Sequence, residues 1–207
     1  MARSAVRHLY LVRHGEASQD ERALTERGRR QAVLLGERLR RSPLAVIRHG
    51  PLARAAQTAG LIRDELDGVP MQLSEAAGDY VPYVPERDEL PPESADFLLG
   101  RLEQIPVEEC ERGPERAGQA LAEFAGPAEG DEPRHELVVT HTFLIGWLVR
   151  DALDAPKWRW MGLNHANAAL TAIRYAPGRP ASLLLFNDMS HLPPELRGTG
   201  RPGETDV

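Results

Sequence analysis

The chain has 207 residues, 42% of them hydrophobic, which suits one domain with a substantial core. Its formal net charge of -6 argues against a general nucleic-acid or membrane-surface role, while leaving room for a local cationic pocket. The single cysteine, Cys110, excludes an intrachain disulfide, and its neighbours Glu108, Glu109 and Glu111 disfavour a reactive thiolate.

The first apolar stretch, HLYLV, follows a basic start and is too short for a signal-peptide core. No stretch approaches the roughly 20 apolar residues that span a bilayer. The expectation is therefore a cytoplasmic chain without membrane contact. Residues 8–12 predict a buried strand that ends at Arg13-His14-Gly15. Thr25 can cap a helix in which Gly28, Ala32, Leu35 and Leu39 recur at helical spacing, up to about Arg41. Pro43 punctuates, and residues 44–47 predict a second strand. A helix over 51–66 carries Leu52, Ala55, Ala59 and Ile62 on one face, and 69–73 predict a third strand.

Residues 76–114 break the pattern with several prolines and many acids. They predict an insertion or lid with a short helix near 94–102. A helix follows over 115–124. Residues 137–140 predict a buried strand ending at His141, then a helix over 143–153, and 170–175 and 183–186 predict the last strands. The resulting organisation is one domain over 1–196 with its lid at 76–114, and a Gly-, Pro- and Thr-rich tail over 197–207 expected to fray. Alternating strands and helices imply a three-layer α/β/α sandwich with a mostly parallel sheet, whose ligands bind at the carboxyl ends of strands. His14 and His141 both lie just past such an end.

Arg13-His14-Gly15 suits phosphate. Arginine offers a planar set of donors to phosphate oxygens, and glycine removes a side-chain obstruction. The tripeptide cannot decide alone, because Arg48-His49-Gly50 repeats it after another apolar strand. Three further features break the tie: Leu24-Thr25-Glu26-Arg27-Gly28 with Gln31-Ala32, Arg54 with Gln57-Thr58-Ala59, and Val138-Val139-Thr140-His141.

With these in order, the sequence resembles the histidine phosphatase superfamily, the group that contains cofactor-dependent phosphoglycerate mutase. The resemblance runs from about Leu9 to the C-terminal strands. It implies that His14 is the nucleophile, that Arg13, Arg54 and His141 bind the phosphoryl group, and that Glu75 is the proton donor with Asp79 as the rival acid. His49 falls where the family usually has a Ser-Ser-Pro-like strand end and takes a structural or rim role. Phe143 is expected to narrow the pocket, and Asp20, which would repel phosphate, stays outside it. Leu163-Asn164-His165-Ala166-Asn167 and Asn187-Asp188-Met189-Ser190-His191-Leu192-Pro193-Pro194 resemble the phosphoglycerate-mutase-like serine/threonine phosphatase branch. His165 and His191 read as structural.

The implied function is hydrolysis of phosphomonoesters through a phosphohistidine, on a small phosphate ester or a phosphoprotein, with no metal and no cofactor. The scattered histidines lack compact ligand spacing. A mutase is the first alternative. It needs cations for a second anionic group, whereas the lid carries Asp79, Glu86, Asp88, Glu89, Glu93 and Asp96 against Arg87 and Arg101. A non-catalytic phosphate-binding protein is the second, and it should lack part of the catalytic set.

Overall fold

Residues 3–198 of the chain are described by a computed structural model. In chain order the elements are β1 (Ser4–Ala5), β2 (Arg7–Arg13), α1 (Glu26–Leu39), β3 (Leu44–His49), α2 (Ala53–Asp64), β4 (Met71–Leu73), α3 (Ala95–Leu102), α4 (Val107–Phe124), β5 (Ala128–Glu129), β6 (Arg134–Thr140), α5 (Thr142–Ala152), β7 (Leu170–Tyr175) and β8 (Ser182–Asp188). Six strands form one sheet in the order β4-β3-β6-β2-β7-β8, and β1 pairs with β5 apart from it. Pairings among β4, β3, β6 and β2 are parallel. β7 and β8 join antiparallel. The sheet is therefore mixed, with its parallel half carrying the histidine-terminated strands.

Both faces of that half are buried. Val12, Leu137 and Val139 pack with Ala32 and Leu35 of α1 and Ala59 and Ile62 of α2. Leu11 and Val138 point the other way, into a core with Ala120 and Phe124 of α4 and Ile145 and Leu148 of α5. Alternate residues serve opposite faces, which is why these strands read as unbroken apolar runs and not as alternating ones. At α1 the predicted cap is in place: the Thr25 hydroxyl accepts from the Gly28 amide at 3.0 Å.

Two differences from the predicted elements stand out. The small β1–β5 pair has too few residues to show a pattern. The helix expected from 115 starts at Val107 and carries Pro114 inside it. Proline normally breaks a helix by removing one N–H and crowding the preceding turn. Here the helix runs through it, and Gly113, the residue before, packs so close to the Val81 backbone that a Cβ would lie 1.8 Å from the Val81 carbonyl oxygen. Of the predicted tail, residues 199–207 lie outside the described residues.

Candidate active site

The sheet order makes β6 and β2 neighbours, so their carboxyl ends bring His141 and His14 together. The His14 amide donates to the Thr140 carbonyl at 3.0 Å, which continues the ladder one residue past β2. The two imidazole rings lie 5.1 Å apart, centroid to centroid, and both residues are buried. They share a cleft of about 670 Å³ with Arg13, Arg54, Asp79 and Asn167.

His14 is held in one tautomer. Its Nδ1 lies 2.7 Å from the Gly15 carbonyl oxygen, which can only accept, so Nδ1 carries the proton. Nε2 then keeps a lone pair, and Arg54 Nε donates to it at 3.2 Å. Burial most of all, then His141 and the two arginines, lower the His14 pKa to about 3 against the pull of the Gly15 carbonyl. His141 is lowered to about 3 by burial, Arg54 and Arg13. Its Nδ1 is 3.3 Å from Asp79 Oδ2 without alignment for a hydrogen bond, and its Nε2 has no partner. The cleft floor thus combines two fixed cations with two neutral imidazoles.

Arg54 stands on the first turn of α2, 6% exposed, and besides His14 it reaches Asp79 at 2.8 Å and Glu21 at 3.3 Å. Arg13 donates from Nη1 to the His165 carbonyl at 2.7 Å. The two carboxyls weighed from sequence part company. Asp79 lines the cleft and contacts Arg54. Glu75, expected as proton donor, is exposed and does not line the cleft. It opens a 3-10 turn whose next residues, Ala76 and Ala77, take the buried side. Asp20 folds back on its own loop, accepting from Ser18 Oγ and the Arg22 amide, and stays out of the cleft. Phe143 does line it, edge-on to Trp160 at 4.9 Å.

Several residues that position the site had no assigned role. Thr58 is fully buried. Its hydroxyl donates to the Arg54 carbonyl and accepts from the Gly15 amide at 3.0 Å, tying the His14–Gly15 loop to the arginine helix. Gln31 and Gln57 accept from the Glu16 and Leu24 amides. Asn167 Nδ2 donates to the His14 carbonyl at 3.0 Å. The signal was there: Gln31, Gln57, Thr58 and Asn167 all fall within quoted motifs, although their targets are backbone groups far away in sequence. Gly15 also serves packing. A Cβ on it would lie 2.5 Å from the Gly28 carbonyl oxygen, so the loop can press on α1 only through glycine. His165 is buried against Phe186, and His191 lies against Arg38, away from the cleft.

Three buried histidines and the half-buried His191 make a stability prediction. Burial, the main cause for each, lowers His14, His141 and His165 to about 3 and His191 to about 4, from 6.5. The unfolded chain therefore binds protons that the folded chain refuses as pH falls below 6.5, and folding loses stability through that window. Each histidine contributes at most about 1.4 kcal/mol per pH unit. Urea midpoints should fall steeply between pH 6.5 and pH 5, above the range where most carboxylates titrate. A midpoint that stays constant over that interval would contradict neutral burial.

Comparison with known proteins gives three findings. The family model described as "Histidine phosphatase superfamily (branch 1)" matches residues 9–188. The mitochondrial serine/threonine-protein phosphatase Pgam5 of Caenorhabditis briggsae is 30% identical over 198 residues, covering 92% of this chain and 66% of that protein. The Homo sapiens PGAM5, also named mitochondrial, is 28% identical over 200 residues, covering 92% and 65%. The chain thus spans just under two thirds of these relatives' length. Among solved structures, Bacillus stearothermophilus YhfR aligns with a TM-score of 0.63 and 25% identity, covering 89% of this chain and 98% of that one. Phosphoglycerate mutase from Plasmodium falciparum aligns with a TM-score of 0.61 and 21% identity, covering 92% and 96%. The expected fold class and phosphatase family are met. The cytoplasmic expectation is corrected, because these relatives are named mitochondrial; it rested on the lack of a signal-peptide core and of a long apolar run, neither of which identifies a compartment. Among the described residues no helix is long and apolar enough to cross a membrane.

Proposed function

Because the chain belongs to the histidine phosphatase superfamily, branch 1, we propose that it hydrolyses phosphomonoesters through a covalent phosphohistidine on His14, without a metal. The observation that carries this reading is the state of the His14 ring: Nδ1 committed to the Gly15 carbonyl, and the Nε2 lone pair held in the cleft beside Arg54. Arg13, Arg54 and His141 hold the nonbridging oxygens, and such positioning and charge are most of what phosphoryl transfer requires. Nε2 attacks phosphorus in line, the bond to the leaving oxygen breaks, and a carboxyl gives that oxygen its proton. The phosphorylated ring is cationic, and the Gly15 carbonyl stabilises its Nδ1–H. Water then attacks phosphorus, the carboxylate takes the water's proton, and the electron pair returns to Nε2. Two arginines already supply the positive field a metal would bring. No group of three His, Cys, Asp or Glu is set to hold a metal among the described residues.

We assign the proton to Asp79. In the free protein it occupies Arg54 and stands beside His141. A phosphoryl dianion takes over those donors and leaves Asp79 against phosphate oxygens, where a protonated carboxyl binds and a carboxylate repels. Asp79→Asn should lower kcat about 10²- to 10⁴-fold on poor leaving groups and much less on p-nitrophenyl phosphate, the range of general acid catalysis. Glu75→Gln should leave kcat nearly unchanged. The opposite pattern would return the role to Glu75, where the family resemblance puts it.

A mutase reading is weaker. Arg13 and Arg54 are the only lysine or arginine side chains lining the cleft among the described residues. A second phosphate or carboxylate would have no cation of its own. The test of the function is hydrolysis of p-nitrophenyl phosphate with acid quenching. Turnover that persists with a chelator, together with an acid-labile, base-stable phosphoenzyme, is the expected result. Chelator-sensitive turnover or an absent phosphoenzyme would overturn it.

A further inference from the structure

The mouth of the cleft has a charge opposite to its floor. Four acidic residues line the cleft: Glu16 is engaged by Arg27 at 3.4 Å and by the Thr25 hydroxyl, and the other three come from separate segments, Glu21 from the loop after β2, Asp79 from the segment after β4, and Glu109 from the first turn of α4. In the free protein Glu21 and Asp79 share the single guanidinium of Arg54, at 3.3 and 2.8 Å. Glu109 has neither arginine, and its carboxyl pKa is raised by burial first and then by Asp79, Glu108 and Glu21. The floor holds a separate sign of a ligand: His141 is 2% exposed, lines the same cleft, and its Nε2 has no hydrogen-bond partner.

When a phosphoryl dianion takes Arg54, it strips Glu21 and Asp79 of their counter-charge and adds two negative charges beside them. Protonating Asp79 removes one of these conflicts. Glu21 and Glu109 remain charged in the cleft that must also take the rest of the ester. A neutral leaving group leaves them uncompensated, and an anionic one adds repulsion. A cationic group on the leaving-group side restores the balance without displacing any donor from the phosphate. Resting on the phosphatase reading above, we propose that the rim carboxylates Glu21 and Glu109 are a specificity element that selects phosphomonoesters carrying positive charge on the leaving group, an amino-alcohol phosphate or a phosphoserine flanked by basic side chains.

Binding of non-hydrolysable phosphonates tests this independently of turnover. 2-Aminoethylphosphonate and propylphosphonate have nearly the same shape and differ by one positive charge. Calorimetry on the wild-type protein, at low salt and at a pH where both are dianions, should show the amine binding on the order of tenfold more tightly, the sum of a few partly exposed ion pairs. Added salt should shrink that ratio. Glu109→Gln should reduce the ratio severalfold, and Glu109→Lys should abolish or invert it. Phosphoserine peptides with flanking arginine or flanking glutamate, compared as substrates with phosphoethanolamine, separate the two sources of cation. Equal affinities in the wild type, a ratio insensitive to Glu109, or no binding of either phosphonate overturns the proposal. A clear amine preference in a protein that hydrolyses no ester would keep the rim assignment and sink the phosphatase reading. Good turnover without any preference would do the reverse.

Discussion

If His14 is the covalent nucleophile, His14→Ala should abolish turnover, by at least about 10⁴-fold, and the acid-labile phosphoenzyme with it, because only binding and charge would be left to assist hydrolysis. His49→Ala is the internal control. His49 also ends a strand, is followed by glycine, and places its Nδ1 2.8 Å from the next carbonyl oxygen. The local geometry matches that of His14 at 2.7 Å. The surroundings differ: His14 is 7% exposed, lines the cleft and takes Arg54 on Nε2, whereas His49 does not line it. His49→Ala should keep both turnover and phosphoenzyme. Trapping with radiolabelled substrate, followed by acid and alkali treatment, reads both variants. Normal p-nitrophenyl phosphate turnover in His14→Ala, or loss of the phosphoenzyme in His49→Ala alone, would refute the assignment.

Arg54→Lys should lower kcat/KM by about 10²- to 10³-fold, the cost of losing one preorganised donor to developing negative charge. The conservative charge does not rescue, because Arg54 works through its fork: Nε on His14 and Nη2 on Asp79, from a buried position. A lysine ammonium is a point charge and cannot meet both partners in that geometry. Affinity for inorganic phosphate should fall in parallel with kcat/KM, since the same donors bind ground state and transition state. Near-normal kcat/KM in Arg54→Lys would mean that charge alone suffices there.

The lid shows where sequence reasoning weakens. Its short helix was legible, since α3 falls where the apolar spacing resumes. The start of α4 was not, because Pro114 is a strong local stop signal. Beside it Gly113 meets the Val81 backbone, a contact that no local pattern encodes.

From the sequence alone came the family, the mixed α/β layering, the two histidines at strand ends and the arginine on α2. Each rests on short-range rules: apolar runs make buried strands, caps start helices, and the chain just past a strand's carboxyl end is free to present side chains. The motif order had already singled out the first Arg-His-Gly; tertiary structure set Arg54 and His141 beside it, and showed which carboxyl reaches Arg54 and what Thr58, Asn167 and Gly15 touch. Those answers depend on partners 25 to 153 residues apart, such as Arg54 with Asp79 and Asn167 with His14. The sheet order that seats β6 between β3 and β2 places His141 beside His14, and the segment after β4 sets Asp79 at the cleft and leaves Glu75 off it.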